Sequence, residues 1–374
     1  MQELDMRKIL VINFGSTSTK LSIFHDEIEY KETTIRHYSE ELNKYSTVNS
    51  QKEFRKNAIL EWLNELNEPI QKFDAIAARG GFLHPISSGT YLIEKEMVDD
   101  LLSGEYGQHV SNLAGVIAFE MGSEYRIPSY TTDPIVVDEF IPEARFTGNP
   151  KFQRKSIIHA LNQKAVARFA ADIINKPYAE CNLVIVHMGG GITVGAHFNG
   201  EIIDSNNGVD GDGPFTPERS GSLPAGDLVR LCYSGKYNET QVLSMINGNG
   251  GVKAYLGEID MRRVEARIEN GDEEAALVYR AMVYQIAKEI GAYSTVSGEK
   301  VDAIVLTGGL AYSEVLTGQI TKKVNFIAPV LVFPGEKESL ALALGTIRVL
   351  NKKESEKIYK KKSDELKQQI AMLA

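Results

Sequence analysis

The chain has 374 residues, 43% hydrophobic and 24% charged, with 41 Lys and Arg against 50 Asp and Glu, a net charge of −9. That length and composition suit a globular protein of two domains, and an acidic balance without a basic stripe argues against nucleic acid as a partner. Cys181 and Cys232 are too few for a disulfide framework or a Cys-based zinc site. The start, MQELDMRKIL, lacks the apolar core of a signal peptide, and no stretch has the length of a membrane span, so the expectation is a cytoplasmic protein with no membrane partner.

The first informative segment, KILVINFGSTSTKLSIFHDE from Lys8 to Glu27, reads as strand, polar turn, strand. Backbone N–H groups in such a turn make an anion cradle, the hydroxyls of Ser16, Thr17, Ser18 and Thr19 add donors, and Lys20 adds a charge if it points back to the turn. A helix follows over Phe54 to Leu66 and a buried strand over Phe73 to Ala77, leading to Arg79-Gly80-Gly81. Asp133 precedes Pro134, a position that suits a turn or a helix cap. Ser156 to Ile174 reads as a helix at the hand-over between two halves, and among Ile157, Ile158 and Leu161 its His159 reads, from the residues alone, as a core histidine.

Leu183 to Asp204, LVIVHMGGGITVGAHFNGEIID, then repeats the first layout. One offset, 187 minus 13 or 174, lays Asn13 on His187, Gly15 on Gly189, Thr19 on Thr193, Phe24 on Phe198 and Glu27 on Glu201. Asn199-Gly200 is a hairpin signal, and His25-Asp26 holds its place in the first copy. The pattern is an internal duplication. Gly189-Gly190-Gly191 makes sense where a ligand approaches the backbone. The loop Asp204 to Pro217 lacks the EF-hand spacing and reads as a mobile connection. Asp260-Met261-Arg262 suits a loop ion pair. A helix from Asp272 to Thr295, a strand from Val301 to Leu306, the Gly308-Gly309 turn and a helix from Ser339 to Leu350 complete the α/β alternation, and the tail stays helix-favouring, with Lys360 to Lys362 on a solvated face. Walker A and GxGxxG patterns are absent.

INFGSTSTK, AARGG, HMGGGITVGAHFNGEIIDSNNGVDGDGPFTPERSGSLP and EIDMRRVE together resemble the butyrate kinases of the acetate kinase group, over about Lys8 to Leu350. The resemblance implies the duplicated two-domain actin, sugar kinase and Hsp70-like (ribonuclease H-like) α/β fold with an active-site cleft between domains, a homodimer, and transfer from Mg-ATP to a short fatty acid to form an acyl phosphate and ADP. It implies that Asn13 and Glu338 hold magnesium, that Ser16, Ser18 and Lys20 line the first phosphate hairpin, and that His187 with Gly189, Gly190 and Gly191 forms the second. Asp260, Arg262, Gly308 and Gly309 match nucleotide-contacting segments. Arg79 and Arg219 match substrate-side arginines, Asp133 an active-site aspartate, and His159 a histidine near the transferred group. The domains read as 1–155, 156–338 with the adenosine site, and a helical segment 339–374 packing back on the first.

Two departures bear on the acyl chain. Ala160-Leu161-Asn162 follows His159 where acetate kinases carry Gly-Thr-Ser-His, and Gly80-Gly81 follows Arg79 where they carry Val. The expectation is a longer acyl pocket at Gly80 and Gly81, with Gly81→Val shifting preference toward acetate. A carboxylate is ionised at neutral pH and needs no general base, so charge management is the chemical problem, which arginines, magnesium, histidine and backbone donors answer. An acetate or propionate kinase, a hydroxyl-directed kinase with Asp133 as base, and a mechanical ATPase share the architecture. Paired arginines argue against a neutral alcohol, and no peptide-binding module follows the nucleotide domains.

Overall fold

Uninterrupted apolar runs form the central strands of two sheets. The computed structural model describes residues 6–361; residues 1–5 and 362–374, with part of the charged start and most of the expected helical tail, lie outside the described residues. The first sheet takes β1 (Lys8–Gly15), β2 (Ser18–His25), β3 (Ile28–Arg36), β4 (Ala75–Ala78), β5 (Thr90–Leu92) and β6 (Ser129–Thr132). The second takes β7 (Asn182–Met188), β8 (Ile192–Phe198), β9 (Glu201–Ser205), β10 (Ala303–Gly308) and β11 (Val330–Pro334). β12 (Lys357–Ile358) returns to the first, giving the orders β12-β5-β6-β4-β1-β2-β3 and β11-β10-β7-β8-β9.

Each sheet begins as an antiparallel meander and continues through a parallel strand beside its first, β4 on β1 and β10 on β7. β7 and β10 are buried along their whole lengths, as strands covered on both faces must be. The edge strand β3 is largely exposed and carries Glu29, Lys31 and Glu32, charges that blunt an open edge. Adding 174 to β1 and β2 gives 182–189 and 192–199, where β7 and β8 lie. At the far hairpins Asn199 (φ 52°) and Gly200 (φ 82°) take the left-handed conformations their turn requires, and Asp26 (φ 50°) does so in the first copy.

Two compact units result, residues 6–137 with 337–361, and residues 138–336. Residues 138–155 thus go with the second unit, not the first, because their charges are satisfied there. Glu139 accepts from buried Lys164 (2.6 Å) and from the Ile202 amide (2.8 Å), and Arg154 pairs with Asp204 (2.7 Å). The helix Glu338–Leu350 packs on β1 and β6 in the first unit.

Two helix expectations are corrected. The helix at 156–174 runs only over Ala160–Ile173, with His159 at its N-cap and its ring turned to Thr193. Beyond Leu350 the chain leaves the helix. Lys357 and Ile358 pair with Tyr91 and Leu92, the Tyr359 hydroxyl donates to buried Asp100 (2.7 Å) and Lys361 pairs with the same carboxylate (3.0 Å). A strand edge and a buried acid outweigh local helix propensity there, while Lys362 lies outside the described residues.

Candidate active site

In the first hairpin Gly15 pairs with Ser18 around Ser16 and Thr17. Its carbonyls are held by a guanidinium. Arg55, fully buried on the helix Lys52–Glu65, donates from Nη1 to the Ser18 carbonyl (3.0 Å) and Thr19 Oγ1 (3.2 Å) and from Nη2 to the Ser16 carbonyl (3.1 Å). Burial pushes its pKa down to about 10, which leaves it charged at neutral pH. With the carbonyl side of the turn so engaged, its amide side suits an anion. Ser16 Oγ lies 3.3 Å from His109 Nε2, and His109 Nδ1 lies 2.9 Å from Ser111 Oγ. Burial, then the charges of Arg79 and Arg55, push the His109 pKa down. Lys20 does not reach back to the turn; it stands opposite Asn13 and pairs with Glu32 (2.8 Å) on β3.

Asn13, Arg79 and Glu338 come together. Asn13 Nδ2 donates to Glu338 Oε2 (2.8 Å), and Arg79 Nη1 donates to the same oxygen (3.0 Å) and to Asn13 Oδ1 (3.3 Å). Asp133 is buried with φ 41°, its Oδ1 accepting from the Gly89 amide (2.7 Å) while its own amide donates to the Gly89 carbonyl (3.1 Å). A non-glycine residue held in the left-handed region by surrounding bonds is a known accompaniment of functional sites.

The missing side chains at Gly80 and Gly81 leave no open space, which corrects the expected acyl pocket. A Cβ on Gly81 would stand 2.3 Å from Asn112 Oδ1 and 2.6 Å from its Cα, and one on Gly80 2.4 Å from Pro134 Cβ. Asn112 fills the volume, accepting from the Phe82 amide (2.9 Å) and donating to the Leu101 and Gly107 carbonyls (3.0 Å each). Valine at 81 would disturb this packing.

In the second unit β7 and β8 pair so that His187 stands opposite Thr193, around a loop of Gly189, Gly190 and Gly191. The glycines differ in what they permit. A Cβ on Gly191 would stand 2.3 Å from Arg219 Nη1, so glycine lets that guanidinium lie against the loop, and a Cβ on Gly190 would stand 3.0 Å from Glu218 Oε1. Gly189 has only ordinary contacts. Arg219 Nη1 donates to the Gly208 carbonyl, and Thr216 Oγ1 receives the Arg219 amide (2.9 Å) and donates to the Gly190 carbonyl (2.7 Å). His187 Nδ1 donates to Asn162 Oδ1 (2.9 Å) and its Nε2 is 3.5 Å from Glu336 Oε1. His159 stacks on His187, ring centres 3.8 Å apart and planes 8° apart.

Asp260, Arg262 and Gly309 line one cavity of about 480 Å³ with Glu265, Tyr312 and Ser313, a volume suited to a small ligand. Asp260 caps the helix Met261–Glu269 and takes a two-pronged bond from Arg262 (2.9 and 2.6 Å), which with the helix N–H holds its pKa down at about 2. Gly308 needs its freedom: at φ 89°, a Cβ would stand 2.4 Å from the Met188 carbonyl. Among the described residues no three His, Cys, Asp or Glu are grouped to hold a metal, and no helix is long and apolar enough to cross a membrane.

The sequence pattern of the acetokinase family matches residues 150–359, more than half the chain. The chain belongs to the acetokinase family. It is 51% identical over 355 residues to butyrate kinase 1 of Clostridium acetobutylicum, covering 95% of this chain and all of that protein. The fold is that of the acetate kinase of Porphyromonas gingivalis, at TM-score 0.76 and 20% identity over 92% of this chain and all of that one. A propionate kinase of Francisella tularensis is similar at TM-score 0.71 and 18% identity, over 91% and 99%. The two sheets are thus the duplicated α/β fold of this acetokinase group.

The residues alone did not point to Arg55, His109, Asn162, Thr193, Gln163 and Glu336. Arg55 left a signal: it shares with Ile59, Trp62 and Leu63 the buried stripe of an amphipathic helix, where a charge must have partners. Thr193 left one as the counterpart of Thr19 at the 174-residue offset, and the others left none.

Proposed function

We propose that the chain transfers the γ-phosphoryl group of ATP reversibly to the carboxylate of butyrate or a branched four-carbon acid, giving an acyl phosphate and ADP. The observation that carries this reading is the 51% identity to butyrate kinase 1 along 95% of the chain. A carboxylate oxygen attacks the γ-phosphorus in line while the bond to the β–γ bridging oxygen breaks and its electron pair leaves with ADP; no proton moves. The substrate is ionised already, so the protein's task is to neutralise and orient charge.

The two hairpins hold the phosphates by their backbone amides, helped by Ser16 and Ser18. Lys20, held by Glu32 on β3, stands away from the turn. Arg79 and Arg219 bring planar, permanently charged donors to the carboxylate and the equatorial oxygens. His159 donates to the transferred group, His187 belongs to the second phosphate hairpin with its Nδ1 proton on Asn162, and Asp133 positions its neighbours without acting as a base. Asp260, Arg262, Gly308 and Gly309 take the nucleoside. Glu338 and Asn13 are the residues that would hold magnesium: one carboxylate beside an amide, with nucleotide phosphates and water completing the shell, suits this ion, and Glu338 already takes a cation in Arg79. Bound there, the ion would supply positive charge to the nucleotide phosphates. We place the enzyme in the cytoplasm, and as a homodimer, which the resemblance implies.

Incubation with ATP, magnesium and hydroxylamine across acetate, propionate, butyrate, isobutyrate and glycerol tests this. Hydroxamate peaking at four-carbon acids is expected. A peak at acetate would move the substrate assignment, and ATP loss without hydroxamate would overturn carboxylate transfer.

A further inference from the structure

Three buried polar side chains stand in line behind His159. Its Nδ1 is 3.0 Å from Thr193 Oγ1, which is 2.8 Å from Gln163 Nε2, and Gln163 Oε1 is 3.0 Å from His197 Nε2. Thr193, Gln163 and His197 are fully buried. Space for the Gln163 amide comes from Gly195, where a Cβ would stand 2.3 Å from Oε1.

Donor logic gives the line a direction. The Gln163 atom facing Thr193 also lies 3.3 Å from the Thr193 carbonyl, which only accepts, so that atom is the nitrogen and the oxygen faces His197. His197 therefore carries its proton on Nε2, and burial, followed by the Lys164 charge, keeps the ring neutral. Gln163 donates to Thr193 Oγ1, and the hydroxyl hydrogen is satisfied when it points to His159 Nδ1. That nitrogen must then accept, and the ring's proton lies on Nε2.

We propose that Gln163, anchored by His197 and acting through Thr193, is a positioning residue that fixes His159 as its Nε2–H tautomer. The ring then presents a donor, not a lone pair, to the transferring phosphoryl group, a consequence that rests on the role proposed for His159. One face of the His159 ring stacks on His187.

The test is nitrogen NMR of full-length protein labelled with ¹⁵N-histidine, at about pH 8, well above the ordinary imidazole pKa, with His159 assigned through His159→Gln. The expected wild-type spectrum shows a bare Nδ1 and a protonated Nε2. In the near-isosteric Gln163→Met the two signals should move toward an average, and kcat should fall about tenfold, the scale of losing a partner that fixes an imidazole tautomer, with KM for ATP unchanged. A protonated Nδ1 in the wild type would overturn the proposal even if the variant failed to fold, as would an unmoved spectrum in the variant. Full kinase activity in His159→Gln would instead remove the catalytic role of His159 and leave the tautomer result standing.

Discussion

The two hairpins share a sequence offset but not a register. In the first, a two-residue turn sets Asn13 opposite Lys20 and Phe14 opposite Thr19. In the second, a three-residue glycine loop slips the pairing by one, and His187, the counterpart of Asn13, comes to stand opposite Thr193, the counterpart of Thr19. Directly opposed residues share a sheet face, so the slip puts His187 beside the threonine that binds His159. The supports differ too. The first turn is held by the buried Arg55 through its carbonyls, whereas the second has Arg219 lying against a glycine. A duplicated scaffold thus carries one basic residue as a structural anchor and the other as a candidate for chemistry.

The largest expected effect separates those roles. Arg219→Ala should lower hydroxamate formation by about 10³ to 10⁵-fold, the range for an arginine that stabilises phosphoryl transfer, with little change in urea midpoint. Arg55→Met should act on stability instead, costing on the order of 3 kcal/mol in urea denaturation because buried acceptors lose a charged donor. Equal stability losses in the two variants would erase the distinction.

A finer contrast comes from adding a single methyl group to each loop. Gly191→Ala should displace Arg219 and reduce kcat about 100-fold, as a misplacement of about 1 Å does. In Gly15→Ala the new Cβ meets first the Ser18 hydroxyl, at 2.8 Å, and a rotamer change relieves it, so kcat should fall far less. The smallest effect is a pH slope. His109 has a folded pKa below its ordinary 6.5, so its contribution to stability is complete above pH 6.5 and is lost as pH falls from there through the folded value. Stability curves of His109→Gln should be flatter on that acid side; an unchanged slope would mean that other groups set it.

Much of this architecture is legible in the residues. The 174-residue offset shows because glycines, Thr19 and Thr193, and the Asn199-Gly200 turn recur at fixed places, and β7 and β10 are apolar runs that only a covered strand explains. The register slip is not legible, since strand pairing depends on how many glycines stay out of the ladder. Glycines 80 and 81 look like space until Pro134 and Asn112, far along the chain, are seen to fill it. The segment at 357–361 favours a helix locally and yields to the β5 edge and Asp100. His159 reads as a helix residue because apolar neighbours conceal an N-cap.

The most direct test of the account is phosphorus NMR of the wild-type protein with ATP, magnesium and butyrate. An acyl phosphate resonance growing in step with ADP, and absent with Arg219→Ala, is the predicted result. Inorganic phosphate growing with ADP and no acyl phosphate, with hydroxylamine trapping nothing, would contradict it.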